Sequence, residues 1–215
     1  MNTIISALVR ERSIDAAIAE AKLGIADGAD AVMIEVGELK PELWTEACFR
    51  ELIAAIPVPV QFCLYDKTNP ERWPAIDGPM LLAAKAGADY VDVSPASVKV
   101  AQAFGAKAIV SEHLLTRSAD FEESLAIFRR QRESGADIIK LVARMDTASE
   151  FEEAKRVMAE LRDHSDRPWV YLGLGRFGLE QRLLGPKYGC AIEFALHHSL
   201  PGKHDQPLIS DLLIT

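Results

Sequence analysis

Three stretches of the sequence decide its fold, namely GADAVMIEV at residues 28–36, GADYVDVS at 87–94 and GADIIKLV at 135–142. In each stretch a glycine precedes an alanine, an aspartate and a run of mostly apolar residues. A glycine just past a helix can take the left-handed conformation that ends the helix, and a short apolar run is typical of a buried strand. The recurrence therefore predicts a repeated unit in which a strand alternates with a helix.

The same alternation of short apolar runs and amphipathic stretches continues along the chain. Eight strand–helix units close naturally into a barrel, whereas an open doubly wound sheet usually has five or six strands. The predicted fold class is therefore α/β, a (β/α)8 TIM barrel that forms a single domain over residues 1–215. The predicted strands are 3–9, 31–36, 58–64, 90–93, 106–111, 138–142, 169–172 and 190–194, and the predicted helices include 14–25, 41–56, 79–86, 121–134 and 148–163.

Composition and charge narrow the class of protein. A chain with 49% hydrophobic and 26% charged residues is typical of a packed globular protein. No apolar run approaches the ~18 residues of a membrane span, and a net charge of −8 disfavours nucleic acid as a partner. The three cysteines are widely spaced, which disfavours a disulfide framework or zinc site. We therefore expect a cytoplasmic protein with no metal or other cofactor, no membrane and no nucleic acid; a homodimer is compatible with the sequence but not specified by it.

Two residues at adjacent predicted strands are candidates for chemistry. Lys140 lies within an apolar strand, where burial without a carboxylate partner lowers a lysine pKa and provides the neutral amine that attacks a ketone. The alternative is a lysine that reaches solvent or pairs with an acid. His113 follows the apolar strand 106–111, and adjacent strands lie only ~4.8 Å apart, so both side chains can reach one substrate. An imidazole can take up and return a proton, although a lone histidine at a strand end is also often structural.

Four segments resemble the motifs of one enzyme family, in the same order along the chain. IVSEHLLTRS at 109–118 resembles the Ser-x-His-x-Phe-x-x-Thr motif of type I 3-dehydroquinate dehydratases, and GADIIKLV resembles the strand that carries their lysine. LGRFGLEQR at 174–182 looks like their Met-Gly-x-x-Gly-x-x-Ser-Arg motif. LPGKHDQPLISDLL at 200–213 resembles their Ala-Pro-Gly-Gln loop and last helix, if three residues, 203–205, are inserted after Gly202.

The resemblance implies a carbon–oxygen lyase of the shikimate pathway that forms a Schiff base. In such an enzyme Lys140 forms an imine with the substrate ketone, and His113 removes one proton and delivers another to the departing hydroxyl. Arg182 and Gln206 hold the substrate carboxylate, a task that suits a planar guanidinium. The implied partner is a small-molecule carboxylate.

The departures from the family pattern concern recognition of the substrate hydroxyls. The family usually carries Glu-x-Arg-x-Asp on the second strand, where this chain has Met33, Glu35 and Gly37. The arginine expected near the end of the third strand is absent from QFCLYDKTN at 61–69, Ser94 replaces a glutamate, and Gln181 replaces the serine before the motif arginine. We therefore expect a divergent member whose substrate-binding residues include Met33 and Glu35.

Three functions are compatible with these observations. The first is dehydration of 3-dehydroquinate or a related cyclic hydroxy-keto acid. The second is another lysine-imine aldolase or dehydratase with a changed substrate, and the third is a weak or non-enzymatic homologue. Separately, Gly173, Gly175 and Gly178 satisfy G-x-G-x-x-G, but they follow a seventh strand, where a phosphate-binding loop is a better interpretation than a dinucleotide site.

Overall fold

A computed structural model describes residues 2–64, 73–199 and 205–213 of the chain. Strands and helices alternate throughout, as the sequence predicts. The strands are β1 Ile4–Val9, β2 Ala31–Glu35, β3 Val60–Cys63, β4 Tyr90–Asp92, β5 Lys107–Leu114, β6 Ile138–Arg144, β7 Trp169–Leu174 and β8 Ile192–Ala195. The helices are α1 Ile14–Ala26, α2 Glu46–Ala55, α3 Trp73–Ala86, α4 Val98–Ala103, α5 Phe121–Glu133, α6 Ala148–His164, α7 Gly178–Tyr188 and α8 Ile209–Leu213.

The eight strands form one parallel sheet whose order is β7-β6-β5-β4-β3-β2-β1-β8. The two outer strands meet where the Ala191 N–H donates to the Trp169 carbonyl at 2.8 Å, which brings the sheet close to a closed cylinder. The prediction of a single (β/α)8 barrel is confirmed. Within the described part of the chain, no helix is both long and apolar enough to cross a membrane.

The aspartate of each repeated GAD stretch has a defined role at the amino-terminal end of the barrel. Asp30, Asp89 and Asp137 accept hydrogen bonds from the backbone N–H groups of Ile5, Val60 and Ala108, at 3.0, 2.8 and 2.8 Å. Each aspartate lies just before one strand. Its side chain binds the backbone at the beginning of the strand that comes earlier in the chain. The glycines of the same stretches have φ of +106°, +104° and +82°, the left-handed conformation that the sequence predicts. The repeat therefore encodes both the end of a helix and the alignment of neighbouring strands.

Several predicted boundaries are wrong, and two of the errors affect the site. β5 and β6 continue to Leu114 and Arg144, beyond the predicted ends at 111 and 142, because the two strands remain paired as far as Leu114 and Ala143. The predicted helix 41–56 is divided into a 3-10 turn and α2, since Thr45 caps the start of α2 with its hydroxyl. The longer strands carry more side chains towards the carboxyl-terminal end of the barrel than the sequence predicts.

Candidate active site

A cavity of about 260 Å³ opens at the carboxyl-terminal ends of the strands. Reactive residues of α/β barrels lie at this end because the loops that follow the strands meet there. All six residues that the sequence analysis selected line the cavity: Met33, Glu35, His113, Lys140, Arg182 and Gln206. The structure thus brings the sequence-predicted residues together in one place.

Lys140 lies at the buried end of this cavity, with 3% of the residue exposed. Its Nζ is 3.6 Å from Oδ2 of Asp92, which is fully buried, and 4.7 Å from the ring centre of Phe194. Of the two alternatives that the sequence left open for Lys140, the structure shows pairing with an acid. The lysine is buried and paired with an acid, so the amine faces a negative charge on one side and an aromatic face on another.

Asp92 is held in place by two neighbouring strands. The hydroxyl of Ser111, on β5, donates to both carboxylate oxygens at 2.8 and 2.9 Å, and the thiol of Cys63, on β3, lies 3.4 Å from Oδ2. These contacts favour the ionised carboxylate, because hydrogen bonds to the charged form stabilise it. Sequence reasoning missed Asp92.

The repeat itself contains the signal that could have found Asp92. Met33, Asp92 and Lys140 each lie five residues after the glycine of their stretch, and Phe194 lies five residues after Gly189, another glycine with positive φ. These four residues belong to β2, β4, β6 and β8. In a barrel, alternate strands contribute the four side chains of one interior layer. Equivalent positions in the repeats therefore place the lysine and the aspartate in the same layer.

The backbone at Lys140 is anchored from outside the barrel by a glutamine of α5. The Gln131 amide donates to the Lys140 carbonyl at 2.7 Å and accepts from the Lys140 N–H at 2.9 Å. Gln131 is buried, so these bonds are protected from water. They fix the main chain from which the lysine side chain extends.

His113 lies inside β5, one residue before its end, and not in the loop after the strand as the sequence analysis expected. Ser111 is in register with Lys140, and His113 is in register with Val142. Residues in register on parallel strands face the same side, so His113 is one inward-facing position closer to the mouth of the cavity than Lys140. The imidazole is buried and lines the same cavity as the amine.

Arg182 reaches the cavity from α7. Its Nε donates to the Gly173 carbonyl at 2.9 Å, which orients the buried guanidinium. The neighbouring Gln181 faces the other way: its amide donates to the Tyr171 carbonyl at 2.8 Å, its oxygen accepts from the Gly173 N–H at 2.5 Å, and it does not line the cavity. Gln181 therefore anchors α7 to β7.

The three glycines between β7 and α7 serve packing and turn geometry. A Cβ added at Gly173 would lie 2.9 Å from the Cα of Gly178, so the strand and helix touch through these two residues. Gly175 has a φ of +80°, and its N–H donates to Asp205 at 3.2 Å. The next N–H, of Arg176, donates to Asp146 at 3.1 Å. The two backbone donors of the expected phosphate loop thus hold carboxylates of the chain itself.

Gln206 and the two residues of the divergent second strand complete the predicted set. The Gln206 amide donates to the Phe194 carbonyl at 3.1 Å, which places it over the end of β8. Met33 and Glu35 both face the cavity from β2, and the Glu35 carboxylate accepts from the N–H of Gly37 at 3.3 Å. Lys203, in the expected insertion, and Tyr65, in the third-strand segment, lie outside the described residues.

Two arginines that the sequence analysis did not select also line the cavity. Arg10 follows β1 and pairs with Glu38 through Nε, at 3.1 Å, and Nη2. Arg144 is the last residue of β6 and pairs through Nε with Asp146 at 2.6 Å. Arg10 lies just beyond the end of β1, and β6 extends further than the apolar pattern indicates, so the pattern gave no reason to place either residue at the site.

A second buried acid lies behind the cavity. Glu193, on β8, is fully buried near Cys190 and Gly185, on the opposite face of the strand from Phe194. Burial raises the pKa of Glu193 to about 8, against the opposing effect of the Arg182 charge. Burial also raises the pKa of the Cys190 thiol. Both groups are therefore neutral near pH 7.

The fold and the cavity define an α/β barrel with a lysine-centred polar site at the carboxyl ends of its strands. The Type I 3-dehydroquinase family matches residues 5–212, and the chain belongs to this family. It is 29% identical over 226 residues to the bifunctional 3-dehydroquinate dehydratase/shikimate dehydrogenase of Arabidopsis thaliana, covering 98% of this chain and 36% of that protein. It is 28% identical over 127 residues to the 3-dehydroquinate dehydratase of Methanosarcina barkeri, covering 55% of this chain and 52% of that one. The chain thus spans between a third and about half of the length of these two relatives.

The likeness to solved structures extends over the whole barrel. The crystal structure of 3-dehydroquinate dehydratase from Geobacillus kaustophilus superimposes with a TM-score of 0.87 at 18% identity, covering 100% of this chain and 90% of that one. At this identity the likeness supports the fold. Function has to be argued from the residues of the cavity.

Proposed function

We propose that this chain is a lyase that forms an imine between Lys140 and a cyclic hydroxy-keto acid, 3-dehydroquinate or a close relative, and eliminates water from it. The observation that carries the proposal is the buried pair of Lys140 and Asp92, 3.6 Å apart, at the inner end of a cavity that His113 also lines. Membership of the type I 3-dehydroquinase family supports the same chemistry.

Asp92 suits both stages of imine chemistry. Its negative charge stabilises the ammonium form of Lys140 while the cavity is empty, so a proton has to leave the amine before attack on the ketone. After attack, the adduct loses water and the nitrogen becomes a protonated imine. That cation lies beside Asp92 and near the Phe194 face, which attract positive charge. The imine then withdraws electrons from the neighbouring carbon.

His113 is the residue placed to move protons in the elimination. The imidazole removes a proton from the carbon next to the protonated imine, and the electron pair of that C–H bond forms a carbon–carbon double bond while the C=N electron pair moves to the nitrogen, which gives an enamine. The hydroxyl one carbon further on then leaves as water, taking a proton from the imidazolium. Hydrolysis of the imine releases the enone and restores Lys140, so the net change is loss of one water molecule.

Arg182 and Gln206 are proposed to hold the substrate carboxylate. The Arg182 guanidinium is oriented by the Gly173 carbonyl, and the Gln206 amide lies over the end of β8. An oriented guanidinium can make two parallel charge-assisted hydrogen bonds to a carboxylate. Binding of the substrate carboxylate at Arg182 and Gln206 determines which substrate carbon faces His113.

A second candidate is a lysine-imine enzyme of the same family with a different substrate. The observation that favours it is the pair Met33 and Glu35, which face the cavity from β2. A thioether offers packing without a strong hydrogen bond, and a carboxylate repels an anionic substrate. Either function is compatible with a biosynthetic enzyme of the cytoplasm, and we propose the cytoplasm as the location of this protein.

Borohydride reduction followed by intact mass measurement tests the imine directly. The protein is incubated with 3-dehydroquinate or another keto acid and reduced, and the modified peptide is mapped. We expect a mass increase on the peptide that contains Lys140, and Lys140→Met should abolish it. Modification at Lys85, Lys99 or Lys107 in its place would contradict the assignment. Ultraviolet absorbance of the enone product then separates 3-dehydroquinate turnover from mere imine formation.

A further inference from the structure

We propose that the substrate is a relative of 3-dehydroquinate with a second anionic group and that Arg144 binds this group, so that the natural ligand is a dicarboxylic keto acid. This inference rests on the proposed function, because it assumes imine formation at Lys140 and a first carboxylate at Arg182. It assigns a specificity role to a residue that the imine mechanism does not need.

Arg144 occupies the cavity because of its position on β6. Lys140, Val142 and Arg144 alternate along the strand and all three line the cavity. Four residues of a strand span ~13 Å, so the backbone of Arg144 lies well above that of Lys140, at the mouth. Its side chain is 43% exposed, whereas Arg182 is buried. The two guanidinium groups therefore lie at different depths.

Arg144 is oriented by an acid that is itself fixed. Nε donates to Asp146 at 2.6 Å, the other oxygen of Asp146 accepts from the Arg176 N–H at 3.1 Å, and the backbone N–H of Asp146 donates to Glu150 at 2.9 Å. The hydrogen bond from Arg144, joined by that from the Arg176 backbone, lowers the pKa of Asp146. The Asp146 carboxylate therefore stays ionised at neutral pH.

The hydrogen bond to Asp146 leaves one edge of the Arg144 guanidinium available to a ligand. Among the described residues, the hydrogen bond from Arg144 to Asp146 uses Nε alone. Arginine can bind a carboxylate through two parallel hydrogen bonds from its Nη1–Nη2 edge. By contrast, Arg10 uses both Nε and Nη2 on Glu38, which makes it a weaker candidate.

The charges around the cavity are separated in a way that suits a dianion. Lys140 faces Asp92, and Arg10 faces Glu38. The acid of the second strand, Glu35, is on β2, four strands from β6 and thus across the barrel. Arg144 and Arg182 both line the cavity from the β6 and α7 side, where Asp205, which also lines it, accepts a hydrogen bond from the Gly175 N–H. Arg182 suffices for one carboxylate, and the Nη1–Nη2 edge of Arg144 is placed to bind a second negative charge on this side of the ligand.

Two stable ketones that differ by one carboxymethyl group provide the test. Levulinate carries one carboxylate and 4-oxopimelate carries two, and both form imines that borohydride reduces. The measured quantity is the efficiency of Lys140 labelling, from the rate of adduct formation against ketone concentration. The variants are Arg144→Met, which keeps an apolar stem, and the matched control Arg176→Met, an exposed arginine of the next loop that does not line the cavity.

We expect the native protein to be labelled by 4-oxopimelate about ten to a hundred times more efficiently than by levulinate, the usual effect of charge-assisted hydrogen bonds. Arg144→Met should remove this preference and leave levulinate labelling unchanged, and Arg176→Met should keep the preference. Equal labelling of the native protein by the two ketones would overturn the inference, and this measurement needs no variant to fold. Equal losses for both ketones in Arg144→Met would also overturn it, because the two arginines would then share one carboxylate.

These outcomes are distinct from failure of the proposed function. If neither ketone nor 3-dehydroquinate labels Lys140, the imine chemistry fails and the inference fails with it. If 3-dehydroquinate labels Lys140 but the second carboxylate gives no advantage, the inference alone is overturned.

Discussion

Lys140 and Asp92 form a buried ion pair whose side chains are 4% and 0% exposed. Two charges removed from water stabilise each other only while both are present. Removal of one partner leaves an uncompensated buried charge, which typically costs 3–5 kcal/mol. This asymmetry yields a test of the pair that does not require a substrate.

We expect Asp92→Asn and Lys140→Met each to lower the free energy of unfolding by about 3 kcal/mol, and the double variant Asp92→Asn, Lys140→Met to lose less than the sum of the two. Urea unfolding of the four proteins measures the coupling. Strictly additive losses would show that the two groups do not interact, and the assignment of Asp92 as the counter-charge of Lys140 would then be wrong.

His113→Ala tests the separation of imine formation from elimination. In the proposed mechanism the imidazole moves protons but forms no bond to the substrate carbon, so borohydride should still trap substrate on Lys140. Enone formation should fall by about a hundredfold or more, the usual contribution of a general acid and base. Native turnover in this variant would assign proton transfer to another residue.

Glu35 provides a test of substrate choice. A substrate hydroxyl that is buried without a partner costs ~1–3 kcal/mol, so the loss of two or three contacts at β2 should lower the efficiency on 3-dehydroquinate by orders of magnitude. Glu35→Gln removes the repulsion and should improve that efficiency, whereas the exposed control Glu42→Gln should not. An efficiency of the native protein equal to that of ordinary family members would show that other residues replace the missing contacts.

Glu193 makes stability depend on pH. Its pKa is about 8 in the folded state, and an unfolded glutamate titrates near ~4.3. Between these values the folded state retains a proton that the unfolded state has lost, so the free energy of unfolding falls as the pH rises from about 4.3 to about 8, by up to ~1.4 kcal/mol per pH unit. Glu193→Gln should flatten this slope, and the exposed control Glu180→Gln should leave it intact. Unfolding midpoints measured between about pH 4.3 and about pH 8 give this slope for each protein. An unchanged pH dependence of stability in Glu193→Gln would contradict the raised pKa of Glu193.

The sequence predicted the parts of this molecule that repeat and missed those that depend on the closed barrel. Apolar runs and the glycine–alanine–aspartate stretches were sufficient for eight strands, and the family motifs were sufficient for the six cavity residues. Asp92 was missed because its contact with Lys140 joins β4 to β6, two strands apart, and a pattern along one strand does not show which residues share a layer. Arg144 was missed because a polar residue at the end of a strand does not continue the apolar pattern of the strand. The pairing of the last residues of β6 was therefore not predicted. The role of Gln181 in joining α7 to β7 was not predicted, because its position next to Arg182 does not indicate which way a helix side chain points.

The contact between Gly173 and Gly178 has a consequence for the size of ligand that the barrel accepts. Because strand and helix touch through bare backbone, α7 approaches β7 as closely as two chains can, and Arg182 moves with it. A methyl group at either glycine would displace the helix outwards and lengthen the span between the arginine and the amine of Lys140. If Lys140 binds the keto group and Arg182 the carboxylate, as proposed, the separation of these two groups in an acceptable ligand depends on two residues without side chains.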